Sequence, residues 1–125
     1  MKKENLQERT LLFSVRIIHM VENMPESKTT KIIAVQLLSS AISIGAKYRA
    51  ACRPASARDF ISKLKIVEEK TDETLFWLEL IEETNIFQPE KIKDLKQEAN
   101  ELLAIFVSSI NTARKNLKLK TKTES

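Results

Sequence analysis

The chain has 125 residues with one cysteine, one histidine, one glycine and three prolines, and a formal net charge of +4. A chain of that length makes one ordinary domain and buries roughly two-thirds of its unfolded surface without needing a disulfide or a structural metal. The lone Cys52 excludes an internal disulfide and fits a reducing compartment. The scarcity of Gly and Pro excludes a fold built from many tight turns.

No unbroken apolar run approaches the roughly 18 residues of a membrane span. The apolar stretch 11–21 is interrupted by Arg16 and His19, and no small-residue cleavage site follows it. The expectation is a cytoplasmic all-α protein with no membrane partner. The first helix is predicted over residues 6–24. Asn5, with Glu8 three residues on, has the form of an N-cap and its reciprocal acid. Thr10, Phe13, Ile17, Met20 and Met24 alternate steps of three and four, and Pro25 ends the run. Leu11, Val15 and Ile18 form a second apolar stripe.

The second helix is predicted over residues 30–53, with Ser27, Thr29 or Thr30 as its cap. Its core stripe reads as Ala34, Leu38, Ala41, Gly45, Tyr48 and Cys52. Ile32, Ile33, Val35, Leu37, Ile42 and Ile44 are apolar as well, so this helix lacks the polar stripe of a bundle helix with one wet side. The third helix opens at Ser56 with Asp59 in the capping-box position, and it ends near Asn85. Its stripe is Phe60, Leu64, Val67, Thr71, Thr74, Leu78 and Ile81. Pro89 suits the first position of the fourth helix. Ile92, Leu95, Ala99, Leu102, Phe106, Ile110, Ala113 and Leu117 carry that helix to a polar, frayed tail over residues 118–125. Short connections force consecutive helices antiparallel. The expected fold is an up-down-up-down antiparallel four-helix bundle over residues 1–117.

Nothing in the pattern resembles an active site. A zinc site needs about four N or S ligands, and the chain offers one His and one Cys. His19 reads as a half-buried helix residue. The Glu-x-x-His pairs of di-iron bundles require two histidines. The only glycine, Gly45, lies inside a helix, so there is no phosphate-binding loop; its expected role is to let another helix approach. Folding the third helix back on the second brings Glu69 and Glu73 near Gln36, Leu37, Ser40 and Ala41. That is either a polar site inside the bundle or, more simply, a solvated acidic face. Trp77 flanks the apolar stripe and reads as part of an inter-subunit seam, with a core position as the alternative.

Charge is segregated. Residues 47–65 carry Lys47, Arg49, Arg53, Arg58, Lys63 and Lys65 against Asp59, a net +5, and residues 114–125 carry a net +4. The rest of the chain is net −5. The corner formed by Lys47, Arg49, Arg53 and Arg58, with Tyr48 and Phe60 nearby, suits phosphate neutralisation with counterion release. It equally suits a solvated turn whose cations complement helix C-termini. The apolar surplus of Leu11, Val15 and Ile18 on the first helix and of Ile33, Leu37 and Ile44 on the second predicts a subunit interface, because so large a patch is unusual on a monomer.

The run 43–51 (Ser-Ile-Gly-Ala-Lys-Tyr-Arg-Ala-Ala), Ser56 with Asp59, Phe60, Ile61, Ser62, Lys63 and Leu64, and the run 72–80 from Asp72 through Trp77 to Leu80 resemble the bacterial "four helix bundle protein" family. Its founding members are encoded in intervening sequences of large-subunit ribosomal RNA genes. Residues 101–107 with Thr112, Ala113 and Arg114 are also similar. The resemblance implies a bundle that assembles as a ring, often a homopentamer, with no known enzymatic activity and no cofactor. The related accessory protein of diversity-generating retroelements is a pentamer that binds nucleic acid and partners a reverse transcriptase. Lys47 and Ala50 stand where the family commonly has Asn and Glu, which makes this corner more basic. The expected function is therefore a non-catalytic homo-oligomer, with no small-molecule substrate, that binds structured RNA or an RNA–DNA hybrid through the basic corner, or partners a nucleic-acid-processing protein. A protein-binding assembly module is the alternative.

Overall fold

The structure, a computed structural model, describes residues 5–124. The expected bundle start at Met1 and the last tail residue Ser125 lie outside the described residues. Four helices, α1 (Leu6–Glu22), α2 (Lys28–Ala51), α3 (Ala57–Glu83) and α4 (Pro89–Glu124), and no strand make up the described chain. They pack as an up-down-up-down four-helix bundle.

The caps set the helix limits. The Asn5 side chain accepts from the Gln7 and Glu8 amides at 3.0 and 3.2 Å. Ser27 is the cap of α2, its Oγ accepting from the Thr30 amide at 3.0 Å. Ser56 Oγ accepts from the Asp59 amide at 3.0 Å, while the Asp59 carboxylate reaches back to the Ala55 amide at 2.9 Å. Helix α3 ends on Asn85, in the left-handed region at φ 56°. There the Ile86 amide donates to the Ile81 carbonyl and the Asn85 amide to the Glu82 carbonyl, which satisfies two otherwise orphaned carbonyls.

The core is one cluster that includes Phe13, Ile17, Leu37, Ile44, Leu64, Leu78, Ile92, Leu102 and Phe106. The stripes read for the first, third and fourth helices point inward, with Phe60, Ala113 and Leu117 half-buried. Helix α2 is turned relative to its expected phase. Ile33, Leu37 and Ile44 are 5%, 0% and 0% exposed, so they belong to the subunit's own core and cannot be interface residues. Ile32, Val35 and Ile42 face outward instead, at 59%, 60% and 46% exposure. The cause is that α2 is apolar around most of its circumference, so periodicity alone does not select a face. Buried hydroxyls select it. Thr74 Oγ1 of α3 donates to Ser40 Oγ at 2.9 Å, and Ser40 Oγ lies 3.2 Å from the Leu37 carbonyl. Ser14 Oγ of α1 reaches the Ala41 carbonyl at 3.3 Å. No described buried side-chain polar atom lacks a partner.

Gly45 lies against Thr10 of α1, as its close-approach role requires, although an added Cβ would meet Thr10 no nearer than 3.4 Å. By length and composition α2 is apolar enough to cross a bilayer, even though no unbroken apolar run reaches that length. Here its inner face packs on α1 and α3.

Helix lengths differ. At about 1.5 Å per residue, the 17 residues of α1 cover only about half the length of the 36-residue α4. Arg9, near the start of α1, pairs with Glu98 through Nε (2.8 Å) and Nη2 (2.7 Å) and with Glu101 at 3.0 Å. With Thr10 of α1 against Gly45 of α2, α1 and α2 finish at nearly the same level, and the last turns of α4 run on beyond them beside the start of α3. The expected frayed tail is helical: α4 continues to Glu124, because its leucines and lysines are good helix formers and no breaker intervenes.

Truncating a core residue should separate these readings of α2. Leu37→Ala is expected to cost about 2–5 kcal/mol, measured by urea denaturation, whereas Val35→Ala should leave monomer stability almost unchanged.

Candidate nucleic-acid interface

The basic residues gather at the end of the bundle where α2 turns into α3. Lys47, Arg49, Arg53 and Arg58 are all exposed. None of the four joins an ion pair among the described residues. Lys63 and Lys65, by contrast, are neutralised within α3, by Asp59 at 2.9 Å and Glu68 at 2.6 Å. The Ala55 amide first, and Lys63 second, hold the Asp59 carboxyl below its usual range. The only acid of the corner is therefore already engaged.

The four cations do not form one face. Lys47 and Arg49 are two residues apart on a helix that turns 100° per residue, so they leave α2 on nearly opposite sides. Arg49 lies on the outer side of α2, and Arg53 lies in the turn beyond the C-cap Cys52. Arg58, at the start of α3, belongs with the end of α4 instead. Arg58, Arg114, Leu117, Lys118, Thr121 and Lys122 line a recess of about 480 Å³ between the two helices. Among the described residues that line it, four of six are cations and none is a carboxylate. The two basic segments, distant in sequence, are one site in space. Sequence reasoning separated them because it treated the second as a frayed tail. The one available signal was the recurrence of Arg114, Lys118 and Lys122 at steps of four.

Tyr48 stands just inside this end, its ring 5.7 Å from that of Phe106. It is half-buried on the core. Burial first, and a hydrogen bond with the Cys52 thiol second, push its phenol up from 10.0 to about 12.

The other candidate residues are dispersed. Leu11 and Val15 are exposed on the outer side of α1, with Ile18 half-buried beside them. Trp77 is half-buried against the core, edge-on to Phe76 at 5.0 Å, its Nε1 donating to Glu73 at 3.4 Å. Glu73 also lies 3.8 Å from Lys70, and Glu69 is exposed. The acidic pair is therefore not an internal site; the polar contact between α2 and α3 is Ser40 with Thr74. His19 is exposed rather than half-buried. No group of three or more His, Cys, Asp or Glu able to hold a metal occurs among the described residues.

Residues 2–108 match the 23S rRNA-intervening sequence protein family. The chain belongs to this family. It is also similar to a solved structure from Bacteroides thetaiotaomicron VPI-5482, described as a protein with unknown function from the S23 ribosomal protein family. The two are 30% identical, the match covers 85% of this chain and 98% of that one, and the TM-score is 0.79. No curated protein matches the chain. Neither the family description nor that structure names a reaction. The family match ends at Ser108, so the basic stripe of α4 lies beyond it.

The raised Tyr48 pKa has a testable consequence. Between about 10 and 12 the folded chain holds a proton that the unfolded chain has lost, so stability falls as pH rises through that window. Tyr48 is the only tyrosine. Its absorbance change in the near ultraviolet should have a midpoint near 12 in the native protein and near 10 in denaturant, and Tyr48→Phe should remove this part of the alkaline destabilisation.

Proposed function

We propose that this protein is a non-catalytic, cytoplasmic homo-oligomer that binds nucleic acid through the basic end of its bundle. The observation that carries the reading is the convergence of two cationic segments, around Arg58 and around Arg114, at one end, with no acid among the described residues that line the recess. Cations so placed neutralise phosphates and release counterions, a source of affinity that needs no base-reading element. The rRNA in the family's name agrees with a role close to RNA.

Assembly is the second part of the reading, and the exposed face of α2 supports it. Ile32, Val35, Leu38, Ile42 and Ala46 lie on its outer side by helical spacing, and Leu11, Val15 and Ile18 of α1 continue the patch. Burying each large side chain fully would stabilise association by roughly 1.5–3 kcal/mol. Ile33, Leu37 and Ile44 take no part, being core. Closed rings use up two unlike faces of each subunit without leaving sticky ends, and a pentamer is one such closure.

Two measurements test this. The Arg49→Ala, Arg53→Ala, Arg58→Ala triple variant should weaken salt-dependent binding to a structured RNA while keeping its helical circular dichroism. If the intact protein binds no RNA even at low salt, the nucleic-acid reading is wrong and an assembly module remains. In sedimentation, the intact protein should run well above 14.3 kDa and Val35→Asp, Ile42→Asp should run as a folded monomer. A monomeric intact protein at high micromolar concentration would refute assembly.

A further inference from the structure

The outer stripe of α3 carries an aromatic ring among acids. Glu69, Asp72, Phe76, Glu79 and Glu83 recur at steps of three and four, and all are exposed. Phe76 is 55% exposed and is held edge-on by Trp77 at 5.0 Å. None of these acids joins an ion pair among the described residues. Lys96 of α4 is near enough to Glu79 and Glu83 to respond to both, but it is bonded to Glu82. The outer stripe of α2 has the reverse pattern. Lys28, Ile32, Val35, Ser39, Ile42 and Ala46 recur at the same spacing, with Lys31 beside Lys28, and all are exposed. Neither lysine joins an ion pair among the described residues.

The Ser40–Thr74 hydrogen bond sets the heights of the two stripes. Because α2 and α3 are antiparallel and rise equally per residue, a residue some places before Ser40 lies level with the one as many places after Thr74. Phe76 is thus level with Leu38, next to Ser39 and midway between Val35 and Ile42. Glu79 is level with Val35, and Glu83 with Lys31. We propose that the outer stripe of α3 seats the α2 stripe of a second copy of this chain. Phe76 enters over Ser39 between Val35 and Ile42, and Lys28 and Lys31 meet Glu79 and Glu83. The proposal rests on the assembly reading above and supplies the second of the two unlike faces which that reading requires.

Subunits standing upright around a common axis keep each residue at one height, so the register within a subunit is also the register between neighbours. Steps of three and four on both stripes are the spacing of a knobs-into-holes seam, and Ser39 is small enough to leave room for a ring. Charge selects this pairing over two-fold alternatives. An antiparallel α2–α2 contact would set Lys28 and Lys31 beside Arg49, and an α3–α3 contact would bring carboxylates together. Only α2 on α3 sets opposite charges level, and such charges fix partner and register more than they add affinity. At the far end Arg49 is level with Lys65, so the attraction belongs to the Lys28 end. A contact between unlike faces closes into a ring.

Sedimentation of the full chain over a range of concentrations tests this. Phe76→Ala should raise the concentration of half-dissociation roughly tenfold or more. Glu79→Lys, Glu83→Lys and, separately, Lys28→Glu, Lys31→Glu should each shift the chain toward monomer. The quadruple variant carrying both reversals should recover the oligomer, which damage to the fold would not do, and circular dichroism confirms that each variant folds. Three results overturn the inference while leaving assembly intact: oligomers unchanged by Phe76→Ala and by both reversals, reversals that the quadruple variant does not rescue, or a dimer as the largest species, since a contact between unlike faces does not close in two copies. A monomeric intact chain at high micromolar concentration overturns the assembly reading, and this inference with it.

Discussion

The hydroxyl pair Ser40 and Thr74 determines how the rest of the molecule is arranged. Both residues are fully buried between α2 and α3, and their side chains are 2.9 Å apart. Each hydroxyl also bonds a carbonyl of its own helix, Leu37 for Ser40 and Lys70 for Thr74, so a rotation of α2 that separates the pair forfeits one inter-helix hydrogen bond, about 0.5–1.5 kcal/mol. Apolar contacts could not impose this. Rotating α2 would exchange Ile33, Leu37 and Ile44 for Ile32, Val35 and Ile42 at little change in hydrophobic burial. The polar pair, aided by Ser14 against the Ala41 carbonyl, decides which isoleucines enter the core and which are left outside.

Three helices were legible in the sequence because each has a polar stripe that defines its opposite. Thr10 to Met20 in α1 with Met24 just past its end, Leu64 to Ile81 in α3 and Ile92 to Ile110 in α4 take their expected places, and Asn5, Ser27 and Ser56 are the caps their side chains suit. Helix α2 was not legible in this way. Its small stripe of Ala34, Leu38, Ala41 and Gly45 keeps the three-four rhythm of a core face, but only Ala41 of these is fully buried. Small side chains there let α1 lie close, while the larger ones fill the space between α2 and α3. The site was half legible. Its cations were visible as two separate runs, but their meeting depends on α4 remaining helical past Leu117 and on α3 starting beside it, which no local pattern encodes.

The unequal helices also explain where charge collects. Where α1 is present, Arg9 ties it to Glu98 and Glu101, and Lys96 joins α4 to Glu82 of α3 at 2.7 Å. Cations and carboxylates cancel across helices at that end. Beyond the start of α1 the remaining helices carry few carboxylates, and those of α3, Asp59 and Glu68, are taken by lysines on their own helix. What is left is a field of one sign. Such a field opposes compaction, and it persists here because the side chains are exposed and screened by water.

The two unusual surfaces lie on different sides of the rod. The apolar face belongs to α2 and the adjoining flank of α1. The basic recess belongs to α3 and α4, which α2 does not cover. Association through α2 would therefore leave the recess open, and each added subunit would bring one more recess into the same assembly. Arg49 is different in this respect, since it continues the outer side of α2 beyond Ile42, with Arg53 in the turn that follows. Copies packed there would bring like charges together, and an anion bound between them would relieve that repulsion. By linkage, a ligand that binds the assembled form more tightly than the monomer must also favour assembly, so the two surfaces can be thermodynamically coupled although they share no side chain.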